Sequence, residues 1–213
     1  LDHFLVEAVG GGVIGTQVAG VSFDIQVTAQ DAGNNTVLGF DGPGNAVDIS
    51  STGTLSAGSG TTATFTNGVL ASHSVTISDT GSFTITATDS AGGLGTGSET
   101  GASSSFTVNP GSLDHFLVEA TGGGGVPTQT AAIAFNIQIT ALDANNNTVT
   151  LFDGAGNTVD ITSTGTLSAG SGATATFTNG VLASHSVNIS NVGSFTITAT
   201  DSAGGSGTGS EAG

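Results

Sequence analysis

The chain is one unit written twice. Leu1-Asp2-His3-Phe4-Leu5-Val6-Glu7-Ala8 returns as Leu113-Asp114-His115-Phe116-Leu117-Val118-Glu119-Ala120, and the offset of 112 residues then holds without a gap to Gly213. Comparing 1–101 with 113–213, 23 of 101 positions differ and 78 are identical, about 77%. Self-similarity at a fixed period marks a repeat architecture. Each copy has the length of one small domain with its own core. The expectation is therefore two domains, residues 1–112 (with a linker at 109–112) and residues 113–213. Two near-identical copies extend an object or multiply a contact, and do not divide the steps of a reaction between them.

Within each copy the apolar residues alternate with polar ones, the mark of half-buried strands. Phe4, Val6 and Ala8 share one face; Phe23, Ile25, Val27 and Ala29 form the longest inward row. Val47 with Ile49, Ala63 with Phe65, Val75 with Ile77, Phe83 with Ile85 and Ala87, and Phe106 with Val108 continue the pattern. No stretch keeps the helical 3.6-residue spacing over three turns. The breaks carry turn residues, among them Gly33-Asn34-Asn35, Asp41-Gly42-Pro43-Gly44 and Asn67-Gly68; the last suits a tight hairpin between 62–66 and 72–77. About seven short strands per copy, separated by such turns, predict an all-β fold of two tandem immunoglobulin-like antiparallel sandwiches, arranged end to end. Phe40 and Phe152 fall outside the inward rows and are expected as exceptions.

Composition narrows the function. There is no Lys or Arg against 16 Asp and Glu, a formal charge of -16. Nucleic-acid binding draws on cationic side chains that neutralise phosphates, and so does attachment to an anionic membrane surface. Both classes are excluded, as are lysine-based cross-links. No apolar run is long enough to insert into a membrane as a helix. With only 8% charged residues and no Cys, the surface must be hydroxyl- and amide-rich, which fits a secreted protein. The chain opens directly in a repeat, with no signal peptide before it.

The join is short: Asn109-Pro110-Gly111-Ser112 leads straight into Leu113. Four residues with a proline leave little slack, so the domains are expected to stack into a rod. The second copy has no counterpart of 102–110, the segment holding Phe106 and Val108. Two explanations stand open: a longer array cut here, or a neighbouring chain that supplies the strand.

The segments LDHFLVEA, FDIQVTAQDAGNNTV, SFTITATDSAGG and SFTVNPG resemble the immunoglobulin-like tandem repeats of very large bacterial and archaeal secreted and surface proteins. The resemblance covers both copies. It implies a stalk, adhesin or extracellular fibre in which the repeats act as spacers.

Calcium is the candidate ligand, since it takes six to eight oxygens from loop carboxylates, amides and carbonyls. The residues placed for it are Asp31, Asn34, Asp41, Asp89 and Asp114, with Asp143, Asn146, Asp153 and Asp201 in the second copy. The competing reading is that Asp and Asn cap turns through their own backbone. His3, His73, His115 and His185 have no second histidine near them and read as structural. No nucleophile elbow or triad pattern is present, so no enzymatic activity is expected. Asn34, Asn146 and Asn188 begin N-x-Ser/Thr triplets, glycosylation acceptors in a secreted protein. The reading is a non-enzymatic structural protein of the cell surface or extracellular space, whose partner is itself through head-to-tail or lateral contacts. The alternative is a set of adhesin repeats contacting glycan or another surface, which requires exposed aromatics grouped at one tip.

Overall fold

A computed structural model describes all residues except 91–92, 203–206, 208 and 210. It divides into two compact units, Leu1–Asn109 and Pro110–Gly213. All named elements of both are strands.

Unit 1 runs β1 (His3–Ala8), β2 (Gln17–Val18), β3 (Phe23–Gln30), β4 (Val47–Ser51), β5 (Leu55–Ala57), β6 (Gly60–Thr61), β7 (Val69–Ile77), β8 (Gly81–Phe83), β9 (Ile85–Asp89), β10 (Thr100–Ala102) and β11 (Phe106–Asn109). One sheet is ordered β1-β3-β7-β5 and the facing one β10-β9-β4-β6, with a short third ribbon β2-β11-β8. Pairing is antiparallel except between β2 and β11, which run parallel. Unit 2 runs β12 (His115–Ala120), β13 (Phe135–Leu142), β14 (Val159–Ser163), β15 (Leu167–Ala169), β16 (Gly172–Ala173), β17 (Val181–Ile189) and β18 (Ile197–Asp201). Its sheets are β12-β13-β17-β15 and β16-β14-β18. Each unit is an immunoglobulin-like sandwich, as the alternation predicts.

The inward rows close on a cluster of phenylalanines. Phe40 meets Phe65 edge-on with centroids 4.8 Å apart, and Phe4 meets Phe40 at 5.4 Å. Such pairs add about 0.5–1.5 kcal/mol beyond the area they bury. Phe116, Phe152 and Phe177 repeat the arrangement. Phe40 and Phe152 are thus corrected: both are wholly buried, at 0% exposure. They sit outside the strand rows because turns carry them in, where the alternation rule does not apply. Ala63 is also corrected. It is exposed, and the 62–66 segment is extended backbone outside any regular strand, with only Thr66 bridging Val69. Asn67 and Gly68 make the turn at φ 49° and 79°, the left-handed pair of a tight hairpin.

Strand β7 begins at Val69 rather than at Ser72. A bulge makes this possible: Ile25 opposes His73 while Val27 opposes Leu70. The extra residue shifts parity, so Leu70 and Val75 both face the core although five positions apart. Close packing between the sheets is set by Gly101, where a Cβ would lie 1.7 Å from the Phe4 carbonyl oxygen. Gly213 occupies the same position against Phe116, at 1.6 Å.

Candidate functional site

The loop carboxylates are held mainly by their own turns. Asp31 Oδ1 accepts the backbone N–H groups of Gly33 and Asn35, each at 2.9 Å, and the Asn35 amide at 3.1 Å. The Asn35 backbone bond, followed by its side chain, pulls the Asp31 carboxyl below its usual range. Asp143 repeats this turn with Asn145 and Asn147 and adds a bond from the Gly111 N–H to Oδ2 at 2.8 Å. Burial pushes the Asp143 carboxyl up, and the Asn147 and Gly111 donors more than offset it, so the net shift is downward. Asn34 and Asn146 take positive φ, 62° and 65°, at the apex of these turns. Asp41 and Asp153 receive the N–H of Asn67 and Asn179, and Asp114 pairs with His115 at 3.0 Å.

Asp89 and Asp201 differ from the rest. Both are buried at 3% exposure. Asp89 Oδ2 accepts the Gly97 N–H and Asp201 Oδ2 the Gly209 N–H, each at 2.9 Å, while Oδ1 of both lacks a partner. A Cβ on Gly95 would lie 2.0 Å from Asp89 Oδ2 and 3.0 Å from Glu99 Oε2, so two carboxylates flank one glycine. Burial raises the Glu99 carboxyl, but its own backbone N–H and the Thr96 donors bring it down to about 2. Among the described residues no three His, Asp or Glu side chains converge. A calcium ion at Asp89 and Glu99 would draw the rest of its ligands from carbonyls and water.

The histidines are tied into the fold. His73 and His185 donate from Nε2 to the carbonyls of Gly58 and Gly170, both at 2.9 Å. His3 lies between Asp2 Oδ2 and Gln30 Oε1, at 3.0 and 2.9 Å.

The larger feature is a groove in unit 2. In unit 1, β11 lies between β2 and β8: Val108 pairs with Gln17 on one side, and Phe106, Thr107 and Val108 pair with Phe83, Ser82 and Gly81 on the other. Phe106 packs edge-on against Phe23 at 5.6 Å. Val6, Ile14, Ala19, Ile77 and Ile85 are thereby sealed into the core with Phe106 and Val108. The corresponding residues of unit 2 are Val118, Val126, Ala131, Ile189 and Ile197, and none of them is fully buried. They line an open groove of about 630 Å3 together with Phe135 and Phe195. Gln129–Thr130 and Gly193–Phe195, the counterparts of β2 and β8, belong to no strand. The Ala19 N–H donates to the Asn109 carbonyl at 2.8 Å; Ala131 has no such acceptor among the described residues.

Sequence reasoning located the absent strand but not the walls of this site. A signal was available: nine of the 23 repeat differences fall at positions 9, 13, 14, 15, 18, 20, 21, 22 and 24. Those sixteen positions, 9–24, form one wall of the groove and its approach. Val18 becomes Thr130, Gly15 becomes Pro127, and on the opposite wall Asp79 and Thr80 become Asn191 and Val192.

No known protein family matches the sequence, and no curated protein is similar to it. Among solved structures the chain is similar to the D0-D1 domain of intimin, at 15% identity and a TM-score of 0.33, over 92% of this chain and 88% of that one.

Proposed function

We propose that this chain is a non-enzymatic structural part of an extracellular, cell-surface protein, in which tandem immunoglobulin-like repeats build a rod or filament. One observation carries the reading: the same sandwich is written twice, and what the two copies share is the Phe cluster, the bulge in β7 and β17, and the turns. Shape is what the duplication keeps. The chemistry of the surface agrees. It carries no cationic side chain, so contacts with like molecules must come from apolar faces, hydroxyls and backbone edges. Tandem copies multiply such contacts without any new one. The aromatic tip that an adhesin reading requires is not seen among the described residues, where the large exposed side chains are Val, Leu and Ile.

Electron microscopy of the protein at the cell surface tests the proposal. Thin filaments or stalks whose repeat distance scales with the number of sandwich units support it. A diffusible monomer with no such assembly on or around the cell contradicts it.

A further inference from the structure

Unit 1 shows what fills the position that stands open in unit 2. Its β11 enters with Phe106 and Val108 pointing into the core and Thr107 and Asn109 pointing out. The backbone is held from both sides, parallel to β2 and antiparallel to β8. Unit 2 presents the same two walls and the same floor, with Phe135 in the place of Phe23. No charged side chain lines the groove, in a chain of net charge -16. Segment 101–109, the natural template for an occupant, is uncharged too.

We propose that this groove is a strand-acceptor site. It takes one uncharged extended segment of a second polypeptide, carrying a Phe-type and a Val-type side chain two residues apart. The segment lies parallel to 129–130 and antiparallel to 193–195. The inference rests on reading the chain as part of an extracellular repeat assembly, and it names the contact by which such an assembly is joined. A second polypeptide is required because the candidate strands of residues 1–213 are already engaged. Phe106–Asn109 is paired within unit 1, and the strands that start at Phe116 and Phe135 sit in the sheet of unit 2. The two edges then contribute main-chain hydrogen bonds, and the pockets for alternate side chains set the sequence preference. The wall differences support a partner distinct from unit 1's own strand. Pro127, which has no N–H, and Thr130 change the edge that a parallel strand meets, while Asn191 removes the charge that Asp79 carries at the equivalent place.

The test uses the full chain and a synthetic peptide with the sequence of residues 101–112. Expected is binding of one peptide per chain, with amide signals moving at 126–131 and 193–197 and unchanged at 81–83. A peptide with Phe106→Asp and Val108→Asp should bind at least about tenfold more weakly, since both apolar side chains lose their burial. Appending the sequence of residues 102–109 after Gly213 should fill the groove and abolish binding of the free peptide. Three results overturn the proposal: no binding, equal binding of the doubly substituted peptide, or binding that survives the appended strand. A chain that self-associates by releasing its own 106–109 strand, seen as lost protection there, overturns it in favour of an exchange between copies. Surface filaments without peptide binding would sink this inference and leave the repeat reading standing. Peptide binding by a chain that forms no surface assembly would do the reverse.

Discussion

Two copies of one sandwich, 78 of 101 positions alike, end up with different cores. In unit 1 the buried cluster includes Val6, Ile14, Ala19, Ile77, Ile85, Phe106 and Val108; in unit 2 the cluster contracts to the Phe116–Phe152–Phe177 centre and the rows around it. The floor residues barely changed: Ile189 and Ile197 are the same amino acids as Ile77 and Ile85. What changed is whether a strand covers them. Burial here is a property of the neighbour and not of the residue, because apolar side chains stay dry only when something excludes water from both sides of the sheet.

The comparison breaks most sharply at Phe40 and Phe152, which are equally buried in equivalent clusters. Phe40→Ala and Phe152→Ala should each destabilise their own unit by about 3–5 kcal/mol. Denaturant unfolding of the two variants should show the loss falling on the mutated unit in each case. Equal cost with unequal starting stability would leave the Phe152 variant unfolded first. Next in size is Phe106→Ala, which opens in unit 1 the groove that unit 2 already has. It should cost unit 1 about 3–4 kcal/mol and bring its melting transition toward that of unit 2. A negligible change would mean that β11 does not seal the core.

A smaller contrast lies in the turn carboxylates. Asp143 is buried and receives the Gly111 N–H in addition to its own turn, whereas Asp31 is half-exposed and receives only its turn. Asp143→Asn should cost unit 2 about 1–3 kcal/mol, as expected for hydrogen bonds to a charged acceptor. Asp31→Asn should cost unit 1 less, and equal losses by calorimetry would remove any role for Gly111.

The smallest effect is on pH. Asp31, Asp79, Glu99 and Asp143 all have folded pKa values below their ordinary ones, Glu99 at about 2. Groups depressed in this way contribute stability that is fully present above the unfolded-state value and lost as pH falls through the folded one. Melting temperature should therefore hold from neutral pH to about 5 and decline between about 4.5 and 2. Protonation also relieves the self-repulsion of a chain at -16, which works in the opposite direction. A melting temperature that rises steadily to pH 2 would show that the repulsion dominates.

Much of this molecule is legible in its sequence, and the reasons for the gaps are specific. Strands β1, β3, β9 and β11 follow from alternation because each buries one face only. Phe40 escaped because it enters the core from a turn, where period-2 reasoning has no hold. The start of β7 escaped because a bulge breaks the parity that the rule depends on. Ala63 was misplaced because its neighbour Phe65 imposes burial on an extended segment that forms no ladder. The loop carboxylates read equally well as cation ligands or turn caps, since both uses need the same oxygens in the same loops. Only the observed donors separate them for Asp31 and Asp143, and only the orphan Oδ1 atoms mark Asp89 and Asp201. The groove was half visible, as a missing strand, while its walls were hidden in substitutions that look conservative one at a time.

Hydrogen–deuterium exchange on the intact chain tests the central contrast most directly. Amides of 81–83 and 106–109 should be protected by the ribbon they form, and those of 129–131 and 193–195 should exchange far faster until the 101–112 peptide is added, which should slow them selectively. Equal protection of 81–83 and 193–195 in the chain alone would contradict the account, because it would mean that unit 2 has no open strand position to fill.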